Sequence, residues 1–346
     1  MQKRTHSMIL ASVVATVAGS ACAQHVPENE CGTTFTAEEA LRYMEMFQNM
    51  PMGQGVPDGP VVVPLTFHVV RQSNGTGGLS QARLDQALID ANDAYAPMNV
   101  QFCVPGTVDY IDDNFFYSQM STTAHIDQLR SMNVVPGTIN IYFVESFPYC
   151  GISSFTFSSV QGIVMNNNCT ALPTNHSTFP HEIGHYFDLF HTHETFYGQE
   201  CPNGSNCSTA GDLVCDTPAD PNVSGAVSSS CTYTGGGSAC GSPYNPDVTN
   251  LMSYSTKQCR DNFSNGQNQR AFDTLVTLRT ELDINLCATQ MCYADCDQSG
   301  VLNVFDYICY GNEYSAQTAY ADCDQSGSLN VFDYICFGNA YAAGCP

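Results

Sequence analysis

Residues 181–191 read HEIGHYFDLFH, and their types and spacing can do metal chemistry. Histidines four apart on a helix lie about 40° apart around its axis and face one point. His181 and His185 are such a pair. Neutral imidazoles suit Zn²⁺, and Glu182 beside them is placed to hold and deprotonate a zinc-bound water. His191 stands six positions past His185. On a continuing helix that offset swings it roughly a third of a turn off the shared face. It joins the pair only if the chain breaks sharply between Tyr186 and Leu189. Asp188 lies in that span, and aspartate is among the few residues that tolerate a left-handed backbone at modest cost.

The run resembles the long zinc signature of the metzincin peptidases, HExxHxxGxxH, with Asp188 standing where that signature has glycine. Asn250-Leu251-Met252-Ser253-Tyr254 looks like a Met-turn. The stretches at 211–218 (GDLVCDTP) and 263–267 (FSNGQ) are similar to the pappalysin (M43) branch, and the resemblance runs from near Val61 to near Leu282. It implies that His181, His185 and His191 hold zinc and that Glu182 is the general base. It also implies that Met252 supports the histidines without ligating, and that Tyr254 stabilises the tetrahedral oxyanion. His193 is a spare imidazole close by. The fold implied is an α/β (α+β) metzincin: a twisted mixed sheet with helices above the zinc cleft, over an irregular lower half stapled by disulfides. Members of the branch that prefer basic side chains carry an aspartate shortly after the Met-turn. Residues 255–259 contain none and hold Lys257 instead, so an arginine preference is not expected, and acidic or neutral side chains stay open at that subsite.

Composition narrows the function class. Lysine and arginine number 10 against 33 acidic residues, a net charge of −23, which sets nucleic-acid binding by phosphate neutralisation aside. Lys3 and Arg4 precede a short apolar run ending near Ala18, and Ala21-Cys22-Ala23 has the small-x-small pattern of a signal-peptidase site. Residues 1–23 are therefore read as a signal peptide, and the protein as secreted, extracellular or attached to a cell surface. That run is too short for a permanent membrane span. Eighteen cysteines in an exported chain mean disulfides. Removal of Cys22 with the signal leaves 17, so one thiol is unpaired or pairs outside the chain.

The elements that must position the site follow in order. Residues 24–60 read as a prosegment, with a capping box at Thr36 to Glu39 opening a helix that carries Leu41, Met44 and Phe47 on one face. The Pro- and Gly-rich stretch at 51–60 ends it and suits proteolysis. Cys31 lies just before the helix. Pappalysin-like precursors carry a similar cysteine that takes the fourth zinc position, which makes Cys31 a candidate switch; the alternative is a disulfide. Setting it aside leaves an even 16 cysteines. Residues 61–287 read as the catalytic domain. Strands are expected at 61–70, 100–104, 138–144, near 152–157 and at 163–165, with a helix over 79–96 that Pro97 stops. The last of these strands is expected to be the edge that pairs with an extended substrate. Asp212 and Asp216 are either Ca²⁺ ligands or surface acids, and 267–283 has the spacing of a closing helix.

The tail, 292–346, is a different object. ADCDQSG at 294–300 recurs 27 residues later, and Asn-Val-Phe-Asp-Tyr-Ile-Cys follows both copies. Oxygen-bearing residues Asp295, Asp297, Ser299, Asn303 and Asp306, and then Asp322, Asp324, Ser326, Asn330 and Asp333, fall at positions 1, 3, 5, 9 and 12 of an EF-hand-like Ca²⁺ loop. One helix after each loop makes the pair similar to a small all-α dockerin of the GC type. That resemblance implies Ca²⁺ and a cohesin-like or other surface partner. Positions 10 and 11, where dockerins meet cohesins, are Val304-Phe305 and Val331-Phe332, so an ordinary cohesin is not expected. Pseudo-symmetry of the repeat suggests Cys296–Cys336 and Cys309–Cys323, with Cys292–Cys345 clasping the ends. The whole chain reads as a secreted zinc endopeptidase acting on protein or peptide bonds and carried on an assembly by its tail. The alternative is an inactive metzincin-fold binding or adhesive subunit of a surface complex.

Overall fold

Strands covered on both faces need apolar residues at nearly every position, and the central strands here have them. The computed structural model describes residues 30–49, 53, 60–287, 293–297, 299, 301–324 and 326–344. The residues read as a signal peptide, Cys22, Cys292, Cys345 and most of the 51–59 stretch lie outside them. The described chain opens with helix α1 (Ala37–Asn49), then β1 (Val61–Arg71), α2 (Gln81–Tyr95), β2 (Val100–Cys103) and β3 (Asp109–Asp112). Short helices α3 (Asn114–Ser118) and α4 (Thr123–Arg130) lead to β4 (Ile139–Val144), β5 (Gly151–Ser153), β6 (Ile163–Asn166) and α5 (Thr178–Tyr186).

The strands form one mixed sheet in the order β2-β1-β4-β6-β5, with β3 pairing β1 beyond the end of β2. All pairings are parallel except β5 against β6. Helix α2 turns Leu84, Ala87, Leu88, Ala91 and Tyr95 inward, and with α5 it covers one face of the sheet. Ile126 and Leu129 of α4 cover the other, against Tyr142, Val144 and Val164. The expected edge is corrected: β6, the last strand, lies inside the sheet, and antiparallel β5 is the edge. β6 pairs parallel with β4 on one side and antiparallel with β5 on the other, which leaves β5 outside it.

After α5 regular structure thins to the two-residue strands β7 (Ser238–Ala239) and β8 (Ser242–Pro243), before α6 (Asn265–Thr277). Disulfides Cys201–Cys240, Cys207–Cys215 and Cys231–Cys259 staple this region, Cys150–Cys169 closes the loops around β5 and β6, and Cys103–Cys287 ties β2 to the chain beyond α6. Cys31 is a free cysteine.

The tail holds α7 (Val304–Ala316) and α8 (Val331–Ala343), joined by Tyr310 and Phe337 stacked 4.1 Å apart. Its disulfides are Cys296–Cys309 and Cys323–Cys336, which overturns the cross-repeat pairing. In each repeat the Asp at the third helical position accepts from the backbone near the loop start, Asp297 N to Asp306 and Asp324 N to Asp333. The loop thus folds onto its own helix and brings its cysteine to that helix, so each bridge closes within one repeat. The Cys292–Cys345 pair falls outside the described residues.

Candidate metal centre

Helix α5 ends where the third histidine needs it to. Asp188 has φ 58°. Asp188 N donates to His185 O at 2.9 Å and Leu189 N to Gly184 O at 2.9 Å. These two bonds around a left-handed residue make a Schellman motif, normally built on glycine. The aspartate carries what glycine cannot: its buried carboxylate accepts from Thr156 N at 2.9 Å and Thr156 Oγ1 at 2.6 Å, tying the turn to the loop after β5. Arg279, just past α6, donates from Nε and Nη2 to the Tyr186 carbonyl at 2.9 and 2.6 Å, satisfying the last turn. We expect Asp188→Ala to cost about 2–4 kcal/mol, since it loses two hydrogen bonds to a charged acceptor and keeps the left-handed strain. Asp188→Gly should fall between alanine and wild type, because it relieves only the strain. Urea unfolding of the three proteins checks that order, and an alanine variant as stable as wild type would refute it.

The reversal brings the imidazoles together. His185 Nε2 lies 3.1 Å from His181 Nε2 and 3.0 Å from His191 Nε2, and all three residues are buried. His181 Nδ1–H donates to Leu251 O at 2.6 Å, and His185 Nδ1–H to Leu189 O at 2.7 Å. With the Nδ1 protons so placed, the Nε2 atoms of these neutral rings carry lone pairs. Burial is the largest cause holding the rings neutral, pushing His185 down to about 3 and His181 and His191 well below the usual range. Lone pairs this close repel unless a cation sits among them. The donor set, three neutral imidazole nitrogens, fits Zn²⁺.

Glu182 is fully buried, and its Oε1 has no hydrogen-bond partner among the described residues. Burial raises its pKa to about 7. Gly151 of β5 faces it, and a Cβ there would overlap the Glu182 side chain. Met252 is buried on the other side of α5: a Cβ at Gly184 would lie 2.6 Å from its Sδ. Asn250 Oδ1 accepts from Met252 N at 2.9 Å, and Met252 O accepts from Thr192 N at 3.2 Å, so the turn is fixed to the strand of chain carrying His191. The Tyr254 ring is 4.7 Å from that of His191. His193 stacks on His191 at 5.0 Å but is not among the side chains grouped at the centre.

Residues 30–33 fill the cleft. Cys31 Sγ lies 3.3 Å from His185 Nε2 and 3.7 Å from Glu182 Oε2, and with the three histidines it forms a group whose ligand atoms are all within 4.8 Å. The thiol stands where a fourth ligand would. Cys150 N donates to Glu30 O at 3.2 Å, Gly32 N to Gly151 O at 2.9 Å, and Ser153 N to Thr33 Oγ1 at 2.8 Å, so the segment lies along the edge strand. Thr33 Oγ1 donates to Glu182 Oε2 at 3.1 Å, and Tyr254 OH to Cys31 O at 2.9 Å. Behind it, Phe35 and Tyr43 pack α1 onto Phe155, Phe157 and Phe190. Gly151, Thr33 and Thr156 had no signal in the sequence, because each acts through a partner far away along the chain.

In the tail, Asp295, Asp297 and Asp306 form one carboxylate group and Asp322, Asp324 and Asp333 another, each with oxygens within 4.8 Å. Asn303 and Asn330 cap the following helices, accepting from Phe305 N and Phe332 N, and Ser299 N and Ser326 N donate to Asp297 and Asp324. Asp212 is no surface acid: it is buried and accepts from Val214 N at 2.9 Å and Thr217 Oγ1 at 3.0 Å. Asp216 holds the start of α6 through Ser264 Oγ and Gly266 N.

Residues 106–276 match the family model described as pregnancy-associated plasma protein-A, a peptidase family designated M43. An extracellular metalloprotease of Colletotrichum graminicola is 32% identical over 275 residues, covering 72% of this chain and 91% of that protein. One from Pyricularia oryzae is 33% identical over 221 residues, covering 59% and 71%. A variant of Tannerella forsythia promirolysin shares the fold at a TM-score of 0.52 and 16% identity, covering 75% of this chain and 99% of that one.

Proposed function

Because this chain belongs to the M43 family of metzincin metallopeptidases, we propose that it is a secreted zinc endopeptidase whose prosegment (24–60) blocks the cleft of a catalytic domain (61–287) through residues 30–33. The observation that carries the reading is the meeting of the Nε2 atoms of three buried, neutral histidines beside a buried carboxylate. His181, His185 and His191 would hold the metal. When bound, Zn²⁺ supplies a Lewis acid that polarises the scissile carbonyl and acidifies the attacking water. Glu182 takes the water's proton at its unpartnered Oε1 and passes it to the leaving amine nitrogen. Because Oε1 makes no other hydrogen bond among the described residues, no protein donor competes for that oxygen. The Tyr254 hydroxyl already donates to a peptide carbonyl, that of Cys31, and turns the same donor on the substrate oxyanion. Edge strand β5 aligns the substrate as it aligns residues 30–33, and Met252 backs the histidine helix. Elemental analysis should find about one zinc per chain, and a chelator should remove proteolysis, which added zinc restores. Activity that survives complete removal of zinc would defeat this reading.

The tail (292–346) fits a calcium-dependent docking module for a surface partner. Three carboxylates crowded in each loop repel one another without a cation, and their spacing is that of an EF-hand-like loop. Val304, Phe305, Val331 and Phe332 are 62–64% exposed, an apolar pair repeated on each helix and suited to a partner other than an ordinary cohesin. Titration calorimetry should find about two calcium ions per chain and about one in Asp306→Ala or Asp333→Ala. No calcium binding in wild type would remove the module from the account.

A further inference from the structure

Two cations follow the Met252 turn and neither has a counter-ion from the catalytic domain in ion-pair range among the described residues. Lys257 is partly buried, with Nζ 2.7 Å from Cys150 Sγ and 3.8 Å from Cys169 Sγ, against the disulfide beside the edge strand. A disulfide is a weak, uncharged acceptor. The Arg260 side chain is 2% exposed; Nε donates to Ser177 Oγ at 3.1 Å and Nη1 to Ser253 O at 3.0 Å, again neutral acceptors. Among the described residues the one carboxylate within ion-pair range of Arg260 is that of Glu30, with Nη1–Oε2 at 4.0 Å. Glu30 also offsets the burial that lowers the Lys257 pKa. Glu182 contributes to the field at both cations but pairs with neither.

Glu30 belongs to the segment lying in the cleft, next to Cys31 and bonded through its carbonyl to Cys150 N. It is the immediate neighbour of Cys31, whose thiol groups with the three histidines, so its side chain lies one residue from the metal centre along the chain. When the segment leaves, Lys257 and Arg260 stay with the catalytic domain. A buried charge without a partner is costly, so the emptied position favours a carboxylate. A neutral side chain leaves both cations unpaired, and a basic one adds repulsion.

We infer that Lys257 and Arg260 form a subsite that selects peptides bearing Asp or Glu beside the cleaved bond, and that Glu30 occupies it in the latent chain. This rests on the proteolytic reading above. The test uses protein secreted in active form, with cleavage sites in denatured casein mapped by mass spectrometry. Asp and Glu should be enriched at one position flanking the cleaved bond. A synthetic peptide with Glu there should have kcat/KM about 10-fold or more above its Gln counterpart. Lys257→Gln should bring that ratio toward unity, and Lys257→Glu should turn it toward Lys- and Arg-bearing peptides. Should these variants not be secreted, the wild-type ratio must itself fall as salt is raised, because it is electrostatic. Cleavage without acidic enrichment, or a ratio near unity at low salt, overturns the subsite and leaves the protease standing. No cleavage of any peptide overturns both.

Discussion

Glu182→Ala lowers kcat for peptide hydrolysis by about 10³-fold or more while zinc stays at about one per chain. The size follows from what the residue does. It follows His181 on α5 with its Oε2 3.7 Å from Cys31 Sγ, it is wholly buried, and its Oε1 has no hydrogen-bond partner among the described residues. Removing it takes away the proton acceptor without touching the three Nε2 atoms. Retained zinc therefore separates loss of the base from collapse of the site. Glu182→Gln should be as inactive, because the amide keeps the shape and cannot take a proton. A variant that still cleaves casein at wild-type rate would reject the proposed mechanism, and one that loses zinc as well would assign Glu182 a structural role.

The second large effect is on latency. Cys31→Ala raises the initial rate of the uncleaved precursor by about 10- to 100-fold, since a tethered ligand acts at high effective concentration and its loss frees a position for water. The gain stays short of the fully processed enzyme. Thr33 still occupies Glu182 Oε2, Tyr254 still donates to the carbonyl of residue 31, and the aromatic packing of Phe35 and Tyr43 still holds α1 in place. Rates must be read before any processing, with N-terminal sequencing to show that the segment is intact. Alkylation of Cys31 should act in the same direction. A precursor with the alanine and an unchanged rate would mean that the segment inhibits by filling the cleft and that the thiol is incidental.

Much of this was readable along the chain because it depends on residues close in sequence. The His181–His185 pair needs only helical periodicity, the tail repeat only a ruler, and the main strands and helices only their apolar spacing. An odd thiol followed from arithmetic once residues 1–23 were read as a signal peptide, whereas its identity as Cys31, free among the described residues, was implied by the family resemblance and not by counting. The left-handed turn at Asp188 was demanded by the wish to add His191, and φ 58° supplies it.

What only the tertiary structure decided are the contacts between distant segments. Nothing local marks Gly151 as the glycine that Glu182 needs, or Thr156 as the partner that makes an aspartate serve at a glycine position. The edge of the sheet passed from the last strand to β5 because β6 pairs with β4 on one side and β5 on the other, a choice of partners that strand composition does not encode. Tail bridges closed within repeats because each loop folds onto its own helix, although symmetry in the sequence allowed the crossed pattern equally. Glu30 and Arg260 are an ion pair of the folded chain alone. Periodicity reports which face a residue turns, and burial then forces some partner upon it. Which partner that is depends on how the whole core closes.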